Sequence, residues 1–197
     1  MTTAATPERL YITANELLAD SWRLGLKVLD SDYRPTHIVG IWRGGTPVGI
    51  AVQELLDFCG LRTDHIAIRT SLYTGLAMTA AQVQVHGLNY IVHNVKAEHS
   101  LLIVDDVYDS GRSVRQVIKN LRLECGRDTP EIRIATVYCK PANCVPAGVP
   151  HYYLHETDRW LVFPHELAGL SVDEILARKP GIDAIRARLM TMRGVQR

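Results

Sequence analysis

Three aspartates and a loop of small residues follow one apolar segment of the sequence. Residues 101–104 read Leu-Leu-Ile-Val, and Asp105, Asp106 and Asp109 come directly after them. A serine–glycine loop then leads into a helical pattern, so its backbone N–H groups and hydroxyls suit a phosphate. Carboxylates beside a phosphate need ribose hydroxyls or hydrated Mg²⁺ between them, since Mg²⁺ binds through few carboxylates plus substrate oxygens. The segment predicts a sugar-phosphate site with Asp105 and Asp106 binding Mg²⁺, directly or through water.

Residues 101–114 resemble the signature that binds phosphoribosyl pyrophosphate (PRPP) in type I phosphoribosyltransferases. That signature is an apolar strand, two acids, two variable residues and then Asp-Ser/Thr-Gly-x-Ser/Thr. The resemblance implies that Asp105 and Asp106 hold the ribose hydroxyls. It also implies that Asp109 is catalytic, accepting a proton from purine N7 or hydrogen-bonding to it. The implied 5′-phosphate cradle consists of Asp109, Ser110, Gly111, Arg112 and Ser113.

A second match to this family lies at Arg43, Gly44 and Gly45. In the family, the first strand ends in a short loop, often with a basic residue before two glycines, that binds pyrophosphate. Glycines allow close backbone approach, and an arginine supplies a permanent cation. Family members often have a cis peptide bond here, so the resemblance predicts a cis bond between Trp42 and Arg43.

A third segment indicates the acceptor base. Lys140 follows an apolar strand, and Trp160 and Leu161 follow later. The arrangement resembles the xanthine/guanine and hypoxanthine branch, where a lysine donates to the purine 6-oxo group and an aromatic ring stacks on the base. An ammonium group has donors only, so it favours a carbonyl over the amino group of adenine. The resemblance implies base contacts from Lys140, from the Trp160 ring and from backbone groups around Leu161.

The sequence departs from the family pattern near two of these sites. The segment from Ser71 lacks the Ser-Tyr pair and the basic residues often found in the catalytic loop, and His165 stands where close relatives frequently have Trp. Two alternatives to a 6-oxopurine phosphoribosyltransferase therefore stay open. One is a non-catalytic PRPP-sensing regulator on the same fold, and the other is transfer to another base, such as adenine or a pyrimidine.

The elements that must position these residues alternate between strands and helices. Apolar runs predict strands over residues 37–42, 65–69, 101–104 and 132–138. Thr13 and Glu16 form a capping-box pattern for a helix over 14–29, Thr46-Pro47 predicts an N-cap with proline as the first helical residue, and another helix is predicted over 112–124. This order predicts an α/β fold with a mainly parallel sheet and helices on both faces.

The 26 residues between Arg69 and Lys96 contain no Asp, Glu, Lys or Arg. Alternation in residues 82–85 favours two strands joined by a turn. The hydroxyls of Thr70, Ser71, Tyr73 and Thr74 fit equally well with a flap that closes over a ligand. The sequence leaves both interpretations open.

Length and charge predict one domain in 197 residues, with a core over about 10–138, a hood over about 139–168 and a helical extension over about 169–197. The net charge is +1, but residues 177–197 carry six basic residues against one acid. An amphipathic helix after Pro180, with Ile182, Ile185, Leu189 and Met192 on one face, suits packing on the same domain or on a second subunit. We expect a cytoplasmic homo-oligomer, dimer or tetramer, with no membrane or nucleic-acid partner.

Four cysteines stand in the sequence without a Cys-x-x-Cys pair, which favours reduced thiols. Zinc bound by Cys139, Cys144, His151 and His155 is disfavoured, because the middle spacing is shorter than in zinc-finger patterns.

Overall fold

The computed structural model describes residues 8–73, 82–144 and 148–192. The chain divides into two compact units, one over residues 18–158 and the other over residues 1–17 and 159–197. The strands are β1 (Arg9–Tyr11), β2 (His37–Trp42), β3 (Asp64–Tyr73), β4 (Gln82–His86), β5 (Ser100–Tyr108), β6 (Glu131–Cys139), β7 (Tyr152–Glu156) and β8 (Trp160–Val162). The α-helices are α1 (Ala14–Leu29), α2 (Gly45–Phe58), α3 (Asn89–Asn94), α4 (Arg112–Cys125), α5 (Val172–Arg178) and α6 (Arg186–Met192).

The larger unit is built on a six-stranded sheet in the order β4-β3-β2-β5-β6-β7. All neighbouring pairs run parallel except β3 and β4, which are antiparallel. Parallel neighbours require crossover connections, and α2 and α4 supply two of them. The predicted α/β fold with a mainly parallel sheet is confirmed.

Alternate residues of the central strands face different helices. Val39 and Ile41 belong to an apolar cluster that includes Ile91 of α3 and Val117 of α4. Gly40 lies between them in β2 and points the other way, where a Cβ would be 3.2 Å from a backbone oxygen at the start of α2. The sheet is therefore covered on both faces, as expected for buried parallel strands.

The predicted bounds of α1, β2, α4 and β6 hold to within one residue, whereas β3 and β5 each end four residues later than predicted and α2 starts earlier. Thr13 and Glu16 form the predicted capping box, with each backbone N–H bonded to the other side chain. The prediction of Thr46 as N-cap is wrong, because α2 begins at Gly45 with Gly44 as its N-cap. The Thr46 hydroxyl caps no N–H group and has no hydrogen-bond partner among the described residues.

The uncharged segment after Arg69 forms the two strands that one interpretation predicted. β3 continues to Tyr73 and pairs with β4, with Thr70 opposite Val85 and Ser71 opposite Gln84. A turn at Gly87, with φ of +89°, leads into α3. Thr74, which the flap interpretation used, lies outside the described residues.

In the smaller unit, β1 and β8 form a two-stranded parallel sheet in which Arg9 pairs with Trp160. Ser171 and Glu174 form the predicted capping box at the start of α5. The single helix predicted after Pro180 is wrong, because residues 182–185 form a 3-10 turn before α6. Ile182 is buried there, whereas Ile185 and Met192 are exposed, so the predicted apolar face is split.

Two basic residues in the predicted helical extension form contacts within this unit. Lys179 is only 7 % exposed, and its ammonium group donates to the Phe163 carbonyl. Burial lowers the pKa of Lys179, and Glu166 opposes that shift. Arg186 pairs with Asp183 at 3.0 Å. Of the expected hood, residues 139–158 belong to the larger unit and residues 159–168 to the smaller one.

Candidate active site

The carboxyl ends of three neighbouring strands bring the predicted site residues of the larger unit to one edge of the sheet. Gly40 of β2 lies opposite Val104 of β5, and Val104 lies opposite Ala135 of β6. Chain segments that leave these strands must therefore start side by side, and ligands of open α/β sheets bind at this edge. β5 is longer than predicted and continues through both acids to Tyr108.

The glycine loop after β2 packs directly against the acidic pair. A Cβ on Gly44 would be 1.8 Å from the Asp106 carboxylate, and one on Gly45 would be 2.4 Å from the Val104 carbonyl oxygen. A side chain is therefore excluded at Gly45, where the contact is with the backbone of β5, whereas one at Gly44 would require the Asp106 carboxylate to move. The peptide bond between Trp42 and Arg43 is cis, as the resemblance predicts. Arg43 is exposed at the start of this loop.

Burial and mutual repulsion shape the electrostatics of the acidic pair. Desolvation raises the pKa of Asp105 well above its usual range, and the negative charge of Asp106 raises it further. The Asp106 N–H donates to Asp105 Oδ1 at 3.0 Å, and the Val107 N–H donates to Asp106 Oδ1 at 2.8 Å. The pair is thus costly to ionise in the free protein, and a cation beside it would relieve that cost.

The donors at this edge fit Mg²⁺ better than a metal that needs a complete protein cage. Both side chains offer hard carboxylate oxygens, which Mg²⁺ prefers. Within residues 8–73, 82–144 and 148–192, no cluster of three His, Cys, Asp or Glu side chains is placed to hold a metal ion. Mg²⁺ usually takes its remaining ligands from water and substrate phosphates.

The loop from Asp109 to Ser113 surrounds a depression of about 100 Å³. Gly111 has φ of +69°, and a Cβ there would be 2.2 Å from the Tyr108 hydroxyl, so glycine is required at this position. α4 begins at Arg112, immediately after this glycine. The depression therefore lies at a helix N-terminus, where free backbone N–H groups favour an anion.

Arg115 supports this loop and was not singled out from the sequence. Its guanidinium Nη2 donates to the Ser110 carbonyl at 2.8 Å. Burial raises the pKa of Tyr108, and the positive charge of Arg115 opposes that shift. An arginine in the first turn of a helix is a common residue at a common place, so the sequence contains no pattern that would single it out.

Lys140 meets Asp109 because each follows the end of a paired strand. Tyr108 and Cys139 are opposite each other in the β5–β6 ladder, and the Lys140 N–H donates to the Tyr108 carbonyl at 2.9 Å. The Lys140 ammonium nitrogen lies 3.4 Å from Asp109 Oδ2. Lys140 is only 7 % exposed. A group that only donates hydrogen bonds and a group that only accepts them are thus side by side. Asp109 is also the first residue of the loop over residues 109–113, which we call the anion loop.

The two remaining predicted residues lie in the smaller unit. Trp160 and Leu161 are the first two residues of β8, which pairs with β1. Trp160 is 57 % exposed, whereas Leu161 and Val162 are both buried. In this unit, Trp160 therefore offers a flat aromatic surface.

The sheet, the acidic pair, the glycine loop and the anion loop together define an α/β protein with a candidate site for an anion at the carboxyl ends of its strands. The family model described as "Phosphoribosyl transferase domain" matches residues 12–163. The chain belongs to this phosphoribosyltransferase family.

Three relatives illustrate the similarity. Xanthine-guanine phosphoribosyltransferase of Cereibacter sphaeroides is 29% identical over 138 residues, which cover 66% of this chain and 69% of the relative. Purine phosphoribosyltransferase of Pyrococcus horikoshii is 25% identical, with a TM-score of 0.66 and coverage of 82% of this chain and 97% of that chain. Xanthine-guanine-hypoxanthine phosphoribosyltransferase of Helicobacter pylori shares the fold at 20% identity, with a TM-score of 0.62 and coverage of 79% and 92%.

Proposed function

We propose that the protein transfers the 5-phosphoribosyl group from PRPP to a 6-oxopurine base, hypoxanthine, guanine or xanthine, and releases pyrophosphate. The observation that carries this proposal is the pairing of Lys140 with Asp109 at 3.4 Å beside the anion loop. An ammonium donor suits the 6-oxo oxygen and a carboxylate suits N7–H, and these two purine groups are neighbours on one edge of the base. The similarity to purine phosphoribosyltransferases supports the same substrate class.

Different loops are assigned to different parts of PRPP. In this proposal, Ser110, Gly111, Arg112 and Ser113 hold the 5′-phosphate through the N-terminus of α4. Gly44 and Gly45 allow the loop backbone to approach pyrophosphate closely, and Arg43 supplies a cation to the departing group. Asp105 and Asp106 hold the ribose hydroxyls. These contacts fix the anomeric carbon of the sugar in position for attack by a purine nitrogen.

Charge stabilisation is the main catalytic task in this reaction, because the sugar gains cationic character while pyrophosphate departs. Mg²⁺, when bound at Asp105 and Asp106 with PRPP, would supply positive charge to the pyrophosphate oxygens. Asp109 accepts the proton of N7 or hydrogen-bonds to it as the new bond to the sugar forms. Lys140 holds the 6-oxo oxygen. The proposed base contacts of the Trp160 ring and of backbone groups around Leu161 rest on the resemblance to the xanthine/guanine and hypoxanthine branch.

Pyrophosphate release tests the proposal. We expect wild-type protein with PRPP and Mg²⁺ to release pyrophosphate with hypoxanthine, guanine or xanthine, and much less with adenine. Lys140→Met should reduce 6-oxopurine turnover by about 10- to 100-fold, because a hydrogen bond from a charged donor is lost. PRPP affinity should be retained in this variant. Lys96→Met, at an exposed lysine before β5, is the matched control.

The same measurement decides between the alternatives. Tight PRPP binding without pyrophosphate release on any base would replace the enzyme with a PRPP-sensing regulator. Release with adenine at the rate of hypoxanthine would contradict the role of Lys140. The relatives reported above are named as phosphoribosyltransferases, so the regulator is not favoured.

The proposal includes a cytoplasmic location and a homo-oligomer, dimer or tetramer. Ile185, Met190 and Met192 are exposed in the smaller unit, and such apolar side chains suit a subunit contact. Light scattering of the purified protein tests the oligomeric state, and a monomer at micromolar concentration would contradict it. Among the described helices, none has the length and apolar character needed to cross a membrane.

A further inference from the structure

We propose that Asn143 is a positioning residue for Asp109 in phosphoribosyl transfer. This inference rests on the proposed function, since it assigns Asp109 to the base. Asn143 ends a short 3-10 turn over Pro141–Asn143, three residues after Lys140. No motif in the sequence points to it.

The two oxygens of the Asp109 carboxylate have different partners. The Asn143 side-chain amide donates from Nδ2 to Asp109 Oδ1 at 2.6 Å. The Lys140 ammonium nitrogen lies 3.4 Å from Asp109 Oδ2. Because a carboxylate only accepts hydrogen bonds, the amide must present its NH₂ group here. The contact with Asn143 therefore restrains the rotation of the Asp109 carboxylate, so that its other oxygen faces Lys140 and the proposed base.

Asp109 needs such support because its side chain is 51% exposed. The terminal torsion of an aspartate has a broad energy minimum, so a carboxylate in water rotates easily. A proton acceptor must hold one oxygen within hydrogen-bond distance of the proton that it takes. Asn143 supplies that restraint while leaving Oδ2 available.

The 3-10 turn that carries Asn143 is itself attached to both neighbouring loops. The Asn143 N–H donates to the Lys140 carbonyl at 3.0 Å. The Cys144 thiol lies 3.4 Å from the Asp109 carbonyl oxygen and 3.3 Å from that of Lys140. Asn143, Lys140 and Asp109 thus belong to one connected group, and the turn transmits its geometry to the carboxylate.

A neutral amide suits this position better than a second cation. A lysine or arginine would form a strong ion pair with Asp109 and compete with the base for its oxygens. The amide donates one hydrogen bond without neutralising the carboxylate, so Asp109 keeps its charge for the purine proton. Among the described residues, the Lys140 ammonium, the Cys144 thiol and the Arg115 guanidinium are charged or titratable groups in contact with residues 109–113.

Three variants test the proposal in the full-length protein. Asn143→Ala should lower kcat with hypoxanthine about 10-fold or more, with KM for PRPP within about twofold. Asn94→Ala, which removes an amide donor from α3, is the matched control and should leave kcat unchanged.

Asn143→Asp should give a pH dependence of turnover that a purely structural role of Asn143 would not produce. Its carboxylate repels Asp109 at pH 8, so turnover should be lost there, and it should partly return at acid pH, where one protonated carboxyl donates to the other. Turnover equal to wild type in both Asn143 variants would overturn the proposal. An equal, pH-independent loss of kcat and of PRPP affinity would overturn it too.

Carboxyl-labelled aspartate followed by NMR separates this inference from the proposed function. The Asp109 signal is identified by its absence in Asp109→Asn, and its chemical shift at one fixed pH should change in Asn143→Ala without substrates present. An unchanged chemical shift refutes the contact, whether or not the enzyme turns over. A changed chemical shift in Asn143→Ala, together with a wild-type protein that releases no pyrophosphate, would instead refute the proposed function and, with it, the catalytic role of the contact.

Discussion

The start of α2 allows a sharp test, because the same substitution should have opposite effects one helical turn apart. A Cβ on Gly45 would lie 2.4 Å from the Val104 carbonyl oxygen and 2.8 Å from the Asp105 Cα, both in the backbone of β5. A Cβ on Gly49 would lie 3.6 Å from the Gly40 Cα, which is an ordinary contact. We therefore compare Gly45→Ala with Gly49→Ala.

The magnitudes follow from these distances. Carbon atoms pack best at about 3.5 Å or more, so Gly45→Ala requires α2 to move by about 1 Å against a buried strand. Overpacking of this kind costs about 1–3 kcal/mol. Alanine in a helix interior is favoured over glycine by about 1 kcal/mol, and Gly49→Ala keeps that gain because space is available. The two variants should differ by about 2–4 kcal/mol in the free energy of unfolding.

Thermal unfolding of the wild type and both variants gives the measurement. For a chain of this size, 1 kcal/mol shifts Tm by about 2–4 °C, so the variants should differ by about 4–16 °C, with wild type between them. Gly45→Ala should also weaken PRPP binding, because Asp105 is attached to the strand that must yield. A Gly45→Ala protein as stable as Gly49→Ala would refute the close approach of α2 to β5.

Two further predictions concern ionisation and capping. Burial raises the pKa of Asp105 in the free protein, so ionisation of Asp105 lowers stability as the pH rises above about 4 and through that raised value. Asp105→Asn should remove this loss of stability. Curves of urea midpoint against pH that run parallel for variant and wild type would contradict the prediction. Ser171→Ala should lower the free energy of unfolding by about 1 kcal/mol because the Glu174 N–H loses its acceptor. Ser171→Thr keeps a hydroxyl and is the control. Equal Tm values for these two variants would show that the cap contributes nothing to stability.

Much of the fold was predictable because local chemistry and tertiary structure agree. The buried strands β2, β5 and β6 are each marked by an apolar run, and Thr13 and Glu16 form a capping pattern between residues three apart in the chain. Thr46 was misassigned as a cap for a tertiary reason. The helix starts two residues earlier than predicted, where Gly45 passes so close to β5 that no side chain fits.

The candidate site likewise contains residues that a sequence pattern predicts and residues that only the tertiary structure shows. The acids and the anion loop are contiguous in sequence, so a pattern could identify Asp105, Asp106 and residues 109–113. Lys140 and Asp109 come together through the pairing of β5 with β6, which the order of predicted strands suggested only in outline. Asn143 and Arg115 act through single contacts from ordinary positions, and a sequence without that geometry has no signal for them.

The parallel pairing of β1 with β8 has a consequence for exchanging parts between family members. Trp160 hydrogen-bonds through its backbone N–H to the Glu8 carbonyl, and Arg9 pairs with Glu174 through its side chain. A graft that transplants the β8 segment from a relative would place it beside the β1 of the recipient. Residues 8–11 and 159–178 therefore form one exchangeable cassette, although about 150 residues of sequence separate them. Chimeras that carry both pieces should fold better than those that carry either piece alone.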